Sequence, residues 1–310
     1  MHGLQLATSI KAQRPEVHLS WIGRATFLPL LRSSTAIDHV YAFHRNGGLK
    51  GFLRLMREVR NSEFDYVFDL QGQLRSGLMT SRTRALHKIG RSDAKEGAGL
   101  FYTHKVPLPV QGKHSHLVDI VLKFCEVIGL RPELRGAPVF RDAGSVNLQF
   151  DDVRYTGRPI LIFPDSRLEE KRWNGFKQLT EMILRDDRSR RVVWAGNNYV
   201  PDKGDFSKEQ FLNLTGNTSL LSLPSLLSKA SWVISNDSGP MHLAAAMGIR
   251  TLGIFGPTDP RVSGPFPLTA PTNHVIQAPL GALTMLSPKE VFARFQRLDT
   301  PLKPIVGNPR

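Results

Sequence analysis

Residues 232–256 read WVISNDSGPMHLAAAMGIRTLGIFG. An apolar run (232–237) breaks at Asp-Ser-Gly-Pro, a small-residue helical stretch follows (240–247), and a second apolar run (251–256) ends in Gly. Apolar runs of five or six residues flanking a helix are the pattern of a βαβ unit, whose parallel strands are covered on both faces. Working outward, the same alternation appears upstream as PILIFP (159–164), a helix over 174–185, RVVWAG (191–196) and a helix near 222–229. The class is therefore α/β, with one doubly wound unit in the second half. A short helix is expected at PKEVFARFQRL, in a Pro-rich tail of the kind that packs back on a neighbouring domain.

The first half repeats the pattern. Strands are expected at 18–23, 39–43, 65–70 and 87–90, and helices near 3–13, 49–60, 73–84 and 115–129. A Pro/Gly-punctuated passage over 131–157, with a weak strand at VNLQF, marks the crossing, and the boundary is placed near 150, giving domains 1–150 and 151–310. One feature is unusual. A doubly wound domain opens on a strand that becomes central in its sheet, whereas this chain opens on a helix. The expectation is an N-terminal domain lacking its first strand, with that strand preceding Met1 in a longer chain.

The chain has 310 residues, 41% apolar and 22% charged, which is a globular balance. No apolar run is long enough to span a bilayer, and the N-terminus does not read as a secretory signal, so a soluble cytoplasmic protein is expected. The single cysteine, Cys125, reads as a core residue. Lys and Arg number 41 against 27 Asp and Glu, a surplus of 14 that favours an anionic partner. The basic residues of the first half (among them Arg24, Arg32, Lys50, Arg54, Arg75 and Arg91) are scattered rather than gathered in an arm, which argues against a nucleic-acid partner.

Three loops at the carboxyl ends of the second-half strands could carry chemistry. In Ser235–His242 a free helix N-terminus could receive a diphosphate, and Asp237 could take hydrogen bonds from sugar hydroxyls; the same Asp237 and Ser238 could simply cap the helix, and His242 could be a core histidine. In Phe163–Trp173, Ser166, Arg167 and Lys171 could surround a leaving phosphate, although Glu169–Arg172 also fits a solvated charged loop. Trp173 reads as an anchor for the following helix. Phe255–Pro260 turns at the same edge. In the first half, Asp69–Gly72 ends a strand, with Gln71 and Arg75 facing the cleft. His114 and His116 sit in a polar loop without a nearby partner, no metal-ligand spacing occurs, and neither a Walker loop nor a GxGxxG fingerprint is present.

PDSRLEEKRW, VVWAGN, LTGNTSLLSLPSLLSKASWVISNDSGPMHLAAAMGIRTLGIFGPTDP, FDYVFDLQGQLRSGL and IGRSDAKEGAGLFYTHKV, taken together, resemble glycosyltransferase family 9, the ADP-heptose:lipopolysaccharide heptosyltransferases, over nearly the whole chain. The resemblance implies a GT-B fold of two Rossmann-like domains facing across a cleft. It also implies inverting, metal-independent transfer of a heptose, or a similar sugar, from an ADP-sugar to an acidic lipid-linked oligosaccharide, with no cofactor, at the cytoplasmic face of the inner membrane. By carry-over, Lys171 and Asp237 are catalytic; Ser166, Arg167, Gly196, Asn197, Ser238, Gly239 and His242 bind the donor; and Gln71, Arg75 and Arg91 face the acceptor. Two departures matter. The family's presumed general base, an aspartate in a Gly-Asp turn after the first strand, has no counterpart in this sequence, and Asn197 and Asn198 stand where relatives carry a glutamate facing the ribose. A non-catalytic relative that binds sugar nucleotide or glycan is the alternative.

Overall fold

The computed structural model describes residues 1–299 apart from 142, 143, 145, 152 and 203–205. In order, the first half runs α1 (His2–Gln13), β1 (Ser20–Arg24), α2 (Leu28–Ser33), β2 (His39–Phe43), α3 (Gly48–Val59), β3 (Glu63–Asp69), α4 (Leu74–Arg82), β4 (Arg84–Arg91), β5 (His104–Val106), α5 (Leu117–Leu122) and α6 (Phe124–Val127). A small antiparallel pair, β6 (Gln149–Phe150) and β7 (Val153–Arg154), leads into the second half. There follow β8 (Ile160–Phe163), α7 (Phe176–Asp186), β9 (Val192–Gly196), β10 (Phe211–Thr215), α8 (Leu223–Ser228), β11 (Trp232–Asn236), α9 (Gly239–Ala246), β12 (Thr251–Phe255), α10 (Pro260–Ser263), β13 (Asn273–Gln277) and α11 (Pro288–Asp299).

The second half is one parallel six-stranded sheet ordered β10-β9-β8-β11-β12-β13. Every residue of β8, β11 and β12 is buried, because helices cover both faces. Phe176, Leu179 and Ile183 of α7, with Val291 and Phe295 of α11, pack on one face, and Leu223, Leu226, Leu243 and Ala244 of α8 and α9 on the other. The C-terminal helix thus packs on its own half; residues 300–310 of the expected tail lie outside the described residues. The edge strands β10 and β13 went unread because FLNLT and NHVIQ interleave polar residues.

The first half is built differently. Its strands form two separate parallel sheets, β1-β2 and β3-β4-β5. Among the described residues no strand pairs the free edge of β1 or of β3, and both strands line a cavity of about 1810 Å³. The gap between the two sheets fits the expectation of a doubly wound domain without its first strand. The expected helix 115–129 is broken at Lys123 into α5 and α6, with Phe124 and Cys125 fully buried. Burial, with Glu126 nearby, pushes the Cys125 thiol up to about 11, in keeping with a core residue. The halves meet through Leu30 and Met1, which pack with Leu161, Phe163 and Val233 of the second half.

Candidate active site

The carboxyl ends of β8, β11 and β12 lie side by side in the sheet, so the loops that follow them converge. Asp237, just past β11, is the hub. Its Oδ2 accepts hydrogen bonds from Lys171 Nζ at 2.6 Å and Thr258 Oγ1 at 2.8 Å, and Oδ1 lies 3.7 Å from His242 Nε2. One residue from each of the three candidate loops thus meets at one carboxylate. Burial pushes that carboxyl up, but His242, Lys171 and Thr258 outweigh it and hold the group down at about 2. Asp237 is therefore an anion at neutral pH that fixes Lys171.

Capping does not account for this segment. Ser238 occupies the N-cap of α9 without a side-chain cap bond, its hydroxyl lying instead 3.0 Å from Ser235 Oγ. With Asp237 committed to Lys171, no side chain caps the first turn of α9, which faces the cavity through Ser238, Gly239 and His242.

Asn236, a residue not singled out from sequence, ties two loops together. Its buried amide donates to Pro164 O at 2.9 Å and accepts from Trp173 N at 3.0 Å, clamping both ends of the 164–173 loop to β11. Trp173 is buried, packs edge-on against Phe176 of α7 with ring centroids 5.0 Å apart and donates to Leu286 O at 2.8 Å, so it anchors the following helix as expected. Within the loop Ser166 is buried and Arg167 is exposed, both lining the cavity. Asp165 forms an ion pair with Arg172 at 3.1 Å and accepts from Asn198 at 2.7 Å, which binds this loop to the turn after β9. Gly196 and Asn197, on that turn, also line the cavity.

Across the cleft, Asp69 closes the turn after β3. Its Oδ1 accepts from the N–H groups of Gln71 and Gly72 at 2.9 and 3.0 Å, and Oδ2 from Tyr102 OH at 2.7 Å. Burial and this carboxylate raise the Tyr102 phenol. The Tyr102 ring reaches Asp69 by lying over Gly90, where a Cβ would come within 2.0 Å of it. Gln71 and Arg75 line the cavity; Arg91 is held in a bidentate pair by Asp93, both contacts 2.8 Å, and is not part of the lining.

His116 corrects the reading of its segment as a polar loop without partners. It is buried, 3.1 Å from Gly264 O through Nε2, and its Nδ1 accepts from Val118 N to cap α5. His2 of α1 stands with its ring centroid 6.0 Å from that of His116 and 4.9 Å from that of His242. Burial, then the neighbouring histidines and the Met1 ammonium, lower His2 to about 3, and burial lowers His116 to about 4. These contacts join positions 2, 116 and 242, a grouping that no local spacing reveals. Among the described residues no group of three or more His, Cys, Asp or Glu is arranged to hold a metal ion.

Residues 52–288 match the family described as glycosyltransferase family 9 (heptosyltransferase). The lipopolysaccharide core heptosyltransferase OpsX of Haemophilus influenzae is 26% identical over 86% of this chain and 78% of its own. Lipopolysaccharide heptosyltransferase 1 of Escherichia coli is 23% identical over 96% of both chains. The solved structure of the E. coli heptosyltransferase WaaC with ADP superposes with a TM-score of 0.77 at 20% identity, covering 96% of this chain and 95% of that one. The fold is thus GT-B, with two Rossmann-like domains.

Proposed function

The chain belongs to glycosyltransferase family 9, the heptosyltransferases, and on that premise we propose that it transfers a heptose from ADP-heptose to the lipopolysaccharide core, with inversion and without a metal. The observation that carries this reading is the Lys171–Asp237 pair beside the uncapped N-terminus of α9. A departing diphosphate gains negative charge on its oxygens. Lys171 and the N–H groups of the first turn of α9 offer fixed positive ends to that charge, in a site whose dipoles are already oriented before the bond breaks. Ser166 adds a donor and Arg167 a second cation. Residues 151–310 hold the donor, and residues 1–150 present Gln71 and Arg75 to the acceptor, which is acidic and lipid-linked. Asp237 acts by positioning Lys171 rather than by taking a proton, since a carboxyl held near 2 is a weak base at neutral pH.

Replacing Lys171 with Ala removes the cation and leaves the Asp237 carboxylate buried without its ion-pair partner. Loss of one such oriented donor lowers kcat by about 10²- to 10³-fold. The measurement is ADP release from ADP-heptose with core acceptor present; unchanged turnover in the variant overturns the assignment.

One observation favours a second reading, a relative that binds sugar nucleotide without transferring it. The three carboxylates at the cleft-facing strand ends, Asp69, Asp165 and Asp237, are all engaged within the protein rather than free to accept the acceptor's proton. Saturable ADP-heptose binding with no turnover on any core acceptor would establish it.

A further inference from the structure

We propose that the outward face of α3 docks the protein on an anionic bilayer by inserting Leu49 and Leu53, with Lys50, Arg54 and Arg57 on the phosphates. The helix buries Leu55, Met56 and Val59 against Tyr41 and Met79. That leaves Leu49 at 72% and Leu53 at 45% exposed, one turn apart on the same side. Lys50, Arg54 and Arg57 are exposed beside them. Two leucines flanked by three cations on one amphipathic helix is the pattern of a helix lying in a headgroup layer, where the leucines reach the acyl boundary and the basic stems extend to phosphate. A protein-binding patch is built otherwise, since interface cores are enriched in aromatic side chains and the exposed residues of α3 include none.

Position selects the same occupant. β1 and β2 are parallel and in register from Ser20 with His39 to Arg24 with Phe43, so the segments that follow them leave from one sheet edge. Arg24 at the end of β1, and Phe27 and Arg45 in those segments, line the cavity, and Phe27 is 44% exposed. The α3 face therefore begins four residues beyond Arg45 of the cavity wall, and Glu58 and Val59 at the other end of the helix line the same cavity. This inference rests on the transferase reading: an acceptor whose sugar enters the cleft keeps its lipid in the membrane, and a docking helix at the rim holds the cleft at headgroup height. It deepens that reading by naming the surface and by requiring apolar insertion as well as charge.

The test is co-sedimentation of the full chain with vesicles of phosphatidylglycerol and phosphatidylcholine, against phosphatidylcholine alone, with no acceptor present. Binding is expected only to the anionic vesicles. Lys50→Gln with Arg54→Gln is expected to weaken it about 30-fold, at about fivefold per basic residue near the surface. Leu49→Ser with Leu53→Ser is expected to weaken it by about tenfold or more. A second readout uses Leu49→Cys carrying an environment-sensitive fluorophore, which labels cleanly because Cys125 is buried; its emission shifts to the blue on anionic vesicles. No vesicle binding, equal binding to both lipids, or a leucine variant that binds like the parent with no emission shift overturns the proposal. ADP-heptose binding, measured on the same samples, reads the other half: its retention while docking fails leaves the transferase reading standing, and its loss in the parent chain with docking intact overturns that reading instead.

Discussion

The two halves follow the same alternation of strand and helix, yet they bury it differently. In the second half β8 is hydrogen-bonded on both edges, to β9 and β11, and all four of its residues are buried. In the first half, among the described residues, β3 is hydrogen-bonded only to β4, and of its seven residues only Asp69 is buried. Part of the difference is in the residues, since β3 carries Glu63, Asp65 and Asp69 whereas β8 is apolar throughout, and part is in what surrounds them. A parallel strand becomes buried when it has a neighbour on each edge and a layer on each face, and β1 and β3 each have a free edge on the cavity. The half expected to hold the donor is therefore closed around one sheet, and the half that faces it is built from two separate sheets.

The largest effect expected from this contrast is a difference in what a deleted side chain costs. Leu161 of β8 is fully buried, so Leu161→Ala leaves a cavity that closed packing cannot relax, and the loss is about 3–4 kcal/mol. Val67 of β3 is only partly buried and faces neighbours with room to move, so Val67→Ala is expected to lose about 1 kcal/mol or less. Urea denaturation of both variants gives the comparison, and equal losses would break it. Amide exchange sharpens it without mutation. β8, β11 and β12 are expected to exchange only by global opening, whereas the amides of β1 and β3 exchange through local opening, faster by about 10³-fold or more.

Next in size is a pH effect where the halves meet. His2 packs against His242 of the second half and is also faced by His116, the Met1 ammonium and Asp237. Its folded-state pKa of about 3 lies below the ordinary 6.5, so the unfolded chain takes the proton first. The stabilisation is complete above 6.5 and is lost as pH falls from there toward 3. At pH 5 the loss from this one group is about 2 kcal/mol. His2→Gln removes the titration, and its stability is expected to vary less between pH 7 and pH 5 than the parent's; an unchanged slope means that His2 is not the group responsible.

How much of this was legible follows from what each feature depends on. β8, β9, β11 and β12 could be read because a doubly covered strand must be apolar along its whole length, and the three loops followed from where such strands end. β10 and β13 lie at sheet edges and need no such run, so FLNLT and NHVIQ give no strand signal. The loop residues of the site were found as types in the right places, but their pairing was not: Lys171 and Asp237 are 66 residues apart, and only the adjacency of β8 and β11 brings them together. Asn236 was hidden because its role is to hydrogen-bond the backbone of another loop, and His2 and His116 because their relation runs through tertiary packing alone.

The smallest effect expected separates positioning from charge within the closed half. Thr258 donates to the same Asp237 oxygen that holds Lys171, and it reaches there from the loop after β12. Thr258→Val keeps the shape and removes the hydroxyl, leaving the ion pair intact but tied to one loop fewer. Because hydrogen bonds to an ionised group contribute about 1.5–3 kcal/mol at most sites and part of this one is replaced by the remaining Lys171 contact, a net cost of about 1 kcal/mol is expected. If Asp237 acts by holding Lys171 in place, kcat falls by about fivefold while KM for ADP-heptose stays within about twofold, since the cation is still present but less well aimed. A rise in KM with kcat unchanged would mean instead that this corner of the site grips the bound donor rather than its departing diphosphate. The same substitution lies outside the split half, so β1 and β3 are expected to exchange as before; a change there would show that the three-loop junction, through His242 and His2, also sets how the two halves sit.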